Sequence, residues 1–205
     1  MESKARTRER LLNAAALLFT RLGFAGASID DIADAAGCTK GAFYANFGSK
    51  EDAYLALMER HGREAAAERR RFFRLCPDGA ELQSSATRHM SDHAREWDWL
   101  LLDVEFKLAA TRASKLKSRL ARARRGVLAQ AVADLKEFSQ RMGRPLSTEP
   151  RLLCTALEAL LEGLALIHKL DHKALNQRDV EKVLKLFAER VLLDGAELVS
   201  RAKKG

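Results

Sequence analysis

Proline is scarce in these 205 residues, three in all, and tryptophan and tyrosine occur twice each. So few breakers leave long uninterrupted segments, and the many Ala, Leu, Arg and Glu residues direct them to helix rather than sheet. Cysteine is equally rare: Cys38, Cys76 and Cys154 are odd in number, far apart and without Cys-x-x-Cys spacing. That pattern argues against a disulfide framework or a cysteine zinc site and predicts reduced thiols. The charged start MESKARTRER lacks an apolar signal core, so a cytoplasmic location is expected. Residues 151–170 form the most apolar stretch, but Glu158 and Glu162 interrupt it; it reads as a helix covered by protein, and no membrane partner is expected. There is no glycine-rich phosphate loop, nucleophile elbow or His-Glu-x-x-His run. No catalytic residues, metal or cofactor are therefore expected.

The length suffices for one large or two small domains with a buried core. The net charge of +8 fits an acidic partner such as nucleic acid, although charge alone is a weak signal. Leu11, Leu12, Ala15, Leu18, Phe19 and Leu22 recur at helical spacing before Gly23, which predicts a first helix over 4–22 with Phe24 packing back on it. Ser28, with Asp31 three residues on, opens a short second helix that Gly37 closes. Thr39 caps a third, with Phe43 and Phe47 on one face; Ser49 opens a fourth, from about 50 to 74. Breaks at 76–79, 143–150 and 171–178 predict further helices over 81–96, 98–112, 116–142, 151–169 and 178–201.

Two short helices joined by a glycine-containing turn and braced by a longer one form a helix-turn-helix. Phe43 and Phe47 supply the packing face of the second. Lys40, Tyr44 and the small Gly41 and Ala42 are left to face outward, where a slim backbone can approach a DNA groove. Thr39, Lys50 and Ser28, at helix N-termini, are placed to meet phosphates, and would position the protein more than read bases.

The stretch ASIDDIADAAGCTKGAFYANFGSKEDAYLALM, with the helix before it, closely resembles the DNA-binding domain of the TetR/AcrR family of bacterial transcriptional regulators over about residues 5–58. Phe19, Gly23, Ile32, Ala33, Ala36, Gly37, Gly41, Tyr44, Phe47, Ser49 and Lys50 fall at its characteristic positions. Cys38 stands where an aliphatic residue is commoner, and Asn46, included in the expected DNA-contact set, where His is frequent. The resemblance implies an all-α protein: an N-terminal three-helix DNA-binding domain, residues 1–49, followed by a helical ligand-binding and dimerisation bundle, residues 50–205, with the fourth helix connecting them. It implies a homodimer on double-stranded operator DNA, a small-molecule effector, and a four-helix interface made by the last two helices. The residues agree: the apolar positions of 151–169 cover more than one face. Ala156, Leu160, Gly163, Leu164 and Ile167, with Val183, Phe187 and Val191, are the expected interface.

Both tryptophans fall in EWDWLLLDVEFKLAATR at 96–112. Trp97, Trp99, Asp103 and Phe106 are candidate ligand contacts, although aromatics at this spacing more often form core. His168 reads as a satisfied core or interface histidine. Lys107 to Arg125 holds eight basic residues and no acidic one; a second DNA surface, an anionic-effector site and a solvated face are all open, the last favoured because the run lies far along the chain from the reading head. The leading expectation is a repressor that binds a palindromic operator and is released by an effector. A DNA-binding regulator without ligand control, constitutive or activating, and a helical interaction protein that makes little use of DNA are the rivals.

Overall fold

The structure, a computed structural model, describes residues 3–75, 85, 88–92, 96–143 and 145–188. Its helices are α1 (Lys4–Gly26), α2 (Ile29–Ala35), α3 (Lys40–Tyr44), α4 (Lys50–Leu75), α5 (Trp97–Thr111), α6 (Ser114–Met142), α7 (Pro150–Leu170) and α8 (Gln177–Phe187). Among the described residues there is no strand. The protein is all-α, as the composition requires. Cys76, Val191, most of the helix expected over 81–96 and the end of the last expected helix lie outside the described residues.

The helix starts follow from local chemistry. Ser28 Oγ accepts from the Asp31 N–H at 3.1 Å while the Asp31 carboxylate accepts from the Ser28 N–H at 3.1 Å, a reciprocal capping box. Thr39 Oγ1 accepts from the Ala42 N–H at 3.1 Å, and Ser49 Oγ from the Asp52 N–H at 3.1 Å. Gly23 breaks α1 internally with φ 74° and ψ 167°, a conformation open only to glycine at low cost. A Cβ there would also lie 2.8 Å from Glu105 Oε2. The chain leaves the helix axis at this point, so Phe24 reaches the core while Leu22, expected inward, stays 54% exposed.

The chain divides into two compact units, Met1–Glu64 with Leu101–Arg124, and Ala65–Leu100 with Arg125–Gly205. In the first, Leu11, Leu12, Ala15, Phe19, Ile32, Ala33, Phe43, Phe47, Tyr54 and Leu57 are buried. A ring cluster extends this core: Phe24 meets Phe106 edge-on at 4.7 Å, and Phe106 stacks on Tyr54 at 3.7 Å. Such contacts add about 0.5–1.5 kcal/mol each to the burial of the rings.

The second unit is centred on Met90, Leu161, Leu164, Val180, Leu184 and Ala188, flanked by Trp97, Leu100, Leu157, Leu160, Val183 and Phe187. Asp134 is buried within it and accepts from Arg69 Nε and Nη2 at 3.0 and 2.7 Å and from Gln130 Nε2 at 2.8 Å. A carboxylate at 3% exposure is tolerable only because those donors replace its water. Neighbouring Phe73 stacks on Phe138 at 4.3 Å.

Candidate nucleic-acid interface

Three things fix the α2–α3 turn. Gly37 takes φ 59°. Arg10 reaches from α1 and donates to the carbonyls of Ala36 and Gly37. Phe43 and Phe47, at 0% and 4% exposure with rings 5.5 Å apart, hold α3 against the core. Because one face of this short helix is so fully committed, the other must point to solvent.

On that face Lys40, Gly41 and Tyr44 are exposed and Ala42 is half-buried. Tyr44 is 51% exposed, its ring set edge-on to Phe43 at 5.9 Å. Lys40 Nζ pairs with Asp30 at 2.9 Å; hydrogen bonding and charge from Asp30 hold the ammonium pKa above its usual value. The pair is well exposed and exchanges readily for another anion. A Cβ on Gly41 would meet Thr39 Oγ1 at 3.7 Å, an ordinary contact, so packing within the chain does not demand glycine there. Thr39 and Ser28 are exposed caps at the starts of α3 and α2. Ser28 also holds the Asp31 carboxyl below the usual carboxylate range, through its side-chain and then its backbone hydrogen bond.

Two residues of the expected contact set have internal duties. Asn46 is half-buried, with Nδ2 donating to Ala42 O at 2.8 Å and Oδ1 buried without a partner among the described residues. Lys50 is no outward surface group. Its Nζ donates to Phe24 O at 2.7 Å and Ala27 O at 2.8 Å, and sits 4.6 Å from the centre of the Phe24 ring. α1 ends at Ala27, whose extended backbone (φ −80°, ψ 128°) leaves those carbonyls without helical partners, and the ammonium satisfies them.

The candidate ligand residues are divided between the units. Phe106 has 0% exposure within the first unit's ring cluster, which gives it a core role in this structure. Asp103 accepts from Tyr54 Oη at 2.8 Å and pairs with Lys107 at 2.6 Å. In the second unit Trp97 stacks on His168 at 4.7 Å, and His168 Nδ1 lies 2.8 Å from Leu175 O, so the histidine is satisfied as expected. Trp99 is half-buried. A cleft of about 120 Å³ opens between Arg70, Phe73, Arg74, Phe138 and Arg141. It was not foreseen, because the RRRFFR run at 69–74 reads as charge alone.

Of the expected interface residues, Leu164 is buried in its own unit's core, with Leu160, Val183 and Phe187 packed against that core. Ala156 and Ile167 are exposed and Gly163 half-buried. With Leu152, Leu166 and Leu170, at 47%, 52% and 84% exposure, they form an apolar stripe along α7.

A small helix pinned by two phenylalanines, presenting a basic and aromatic outer face beside two capped N-termini, is a helix-turn-helix of the DNA-binding class. Over residues 11–57 the chain matches the family described as bacterial regulatory proteins, tetR family. It is 44% identical over 54 residues to the HTH-type transcriptional activator FasR of Mycolicibacterium smegmatis, a match spanning 26% of this chain and only 25% of that relative. To the HTH-type transcriptional repressor AcnR of Corynebacterium diphtheriae it is 28% identical over 185 residues, 90% of each chain. Its fold is shared with GusR of Salmonella enterica, at TM-score 0.68, 24% identity, and coverage of 91% of this chain and 95% of that one. FadR of Bacillus subtilis, solved in complex with stearoyl-CoA, superposes with TM-score 0.66 at 15% identity, over 88% and 96%.

Proposed function

We propose that this transcriptional regulator is a cytoplasmic, non-enzymatic repressor that binds a palindromic operator as a homodimer and is released by a small-molecule effector. The outer face of α3 carries this reading. Lys40 and Tyr44 flank a glycine that has room for a side chain within the chain, so its absence is best used by something approaching from outside, the wall of a major groove. In the proposal Thr39 and Ser28 bind phosphates, Ala42 and Asn46 complete the edge of the reading surface, and Lys50 shapes it from behind.

The exposed stripe on α7 supports a second copy as its cover, since an apolar helix face of this length is unstable in water. Similarity to AcnR, a repressor, along 90% of the chain supports repression over activation; FasR, an activator, matches over only 26% of the chain. The effector remains a class, a small molecule, supported by the FadR complex with stearoyl-CoA. A gel shift of the full chain on the DNA upstream of its own gene tests the reading: a retarded complex outcompeted by the same unlabelled fragment and not by scrambled DNA is expected. No discrimination between the two competitors would defeat it.

A further inference from the structure

The basic run Lys107–Arg125, remote from α3 in sequence, is close to it in the folded chain. Residues Leu101–Arg124 belong to the same compact unit as α1, α2 and α3. The Arg119 guanidinium pairs with Asp52 in the first turn of α4, the end that follows directly from α3. Asp52 Oδ2 lies only 2.8 Å from where a Cβ of Gly48 would stand, in the turn that joins α3 to α4. Lys115 and Arg122 fall on the same face of α6 as Arg119, four residues before it and three after. Lys115, Lys117, Arg122 and the preceding Arg112 are exposed, and the structure gives their side chains no ion-pair or hydrogen-bond partner among the described residues.

Three carboxylates of the same unit are already engaged. Asp52 pairs with Arg119, Asp103 with Lys107 and Tyr54, and Glu105 accepts from the N–H groups of Phe24 and Ala25 at 3.0 and 3.1 Å. Four cations are thus left without local compensation. The run contains no aromatic residue, so it offers no stacking platform for bases. What it fits is a regular array of phosphates.

We propose that the N-terminal half of α6 is a second, sequence-independent contact surface for duplex DNA, in which Lys115 and Arg122 meet backbone phosphates flanking the segment read by α3. This rests on the DNA-binding reading of α3. The two ideas separate experimentally, because phosphate neutralisation appears in the salt dependence of binding and uncharged groove contacts do not.

The test uses the full chain, the double variant Lys115→Gln/Arg122→Gln and Tyr44→Ala, titrated by fluorescence anisotropy on a mixed-sequence duplex of about 40 base pairs between about 50 and 200 mM KCl. Arg119 is left in place because Asp52 depends on it. Each lost phosphate contact should lower the slope of log affinity against log salt by about 0.9, so for each subunit on the duplex the unmodified chain should lose about twelve-fold more affinity across that range than the double variant. Tyr44→Ala should weaken binding at unchanged slope. An unchanged slope in a folded double variant, with Tyr44→Ala still impaired, would overturn the second surface and leave the reading of α3 standing. No binding of the unmodified chain even at the lowest salt would overturn both.

Discussion

Lys50 carries a cation into a half-buried position, where the carbonyls of Phe24 and Ala27 replace the water it gives up. Substitution by methionine keeps the stem and removes both charged hydrogen bonds. With a discount for partial exposure, Lys50→Met should cost about 2 kcal/mol and lower the thermal midpoint by about 4–8 °C, measurable by circular dichroism. A midpoint unchanged within error would show that water satisfies those carbonyls equally well. Weakened DNA binding by a Lys50 variant is therefore no proof of a phosphate contact, whereas Tyr44, 51% exposed, is free of that ambiguity. Helical spacing places Lys50 at the start of α4 and says nothing of the carbonyls it meets, because those are freed where α1 ends at Ala27, 23 residues earlier.

Helix starts were legible wherever the capping atoms are neighbours in the chain. Ser28, Thr39 and Ser49 each bond to an N–H three residues on, a relation that the sequence displays directly. Glu105 was not legible as a cap: it accepts the N–H of Phe24 across 81 residues. The segment Arg69–Arg74 has the same character, since its charge hides the buried pair of Arg69 and Asp134 and the stacking of Phe73 on Phe138. Arg69→Met leaves a buried carboxylate short of its main donors and should destabilise the chain by about 3–5 kcal/mol in urea titration. Arg69→Met with Asp134→Leu removes the stranded charge and should recover most of that loss. If the double variant were as unstable as the single one, packing and not charge would be what Arg69 provides.

On the scale of the whole molecule, the sequence pattern of α7 reads as apolar on several sides, and the structure divides those sides. Leu161, Leu164 and Ala165 are buried within the chain, while Leu166, Ile167 and Leu170 remain exposed. Periodicity could not make that division, because both faces carry leucine. Leu166→Glu/Ile167→Glu should give folded monomers in sedimentation velocity, and Leu164→Glu, which buries a charge in the core, should unfold or aggregate the chain. A dimer unchanged by the first pair of substitutions would move the interface away from this stripe.

The central claim is that the outer face of α3 reads DNA, and equilibrium binding of the Tyr44→Ala and Lys40→Gln variants to the protein's own upstream DNA tests it most directly. Base-edge and groove contacts are worth about 1–3 kcal/mol each, so affinity for that fragment should fall by roughly five- to a hundred-fold in each variant. The thermal midpoint should stay within about 1 °C, since both side chains are exposed. Folded variants that bind the fragment as tightly as the unmodified chain would contradict the account.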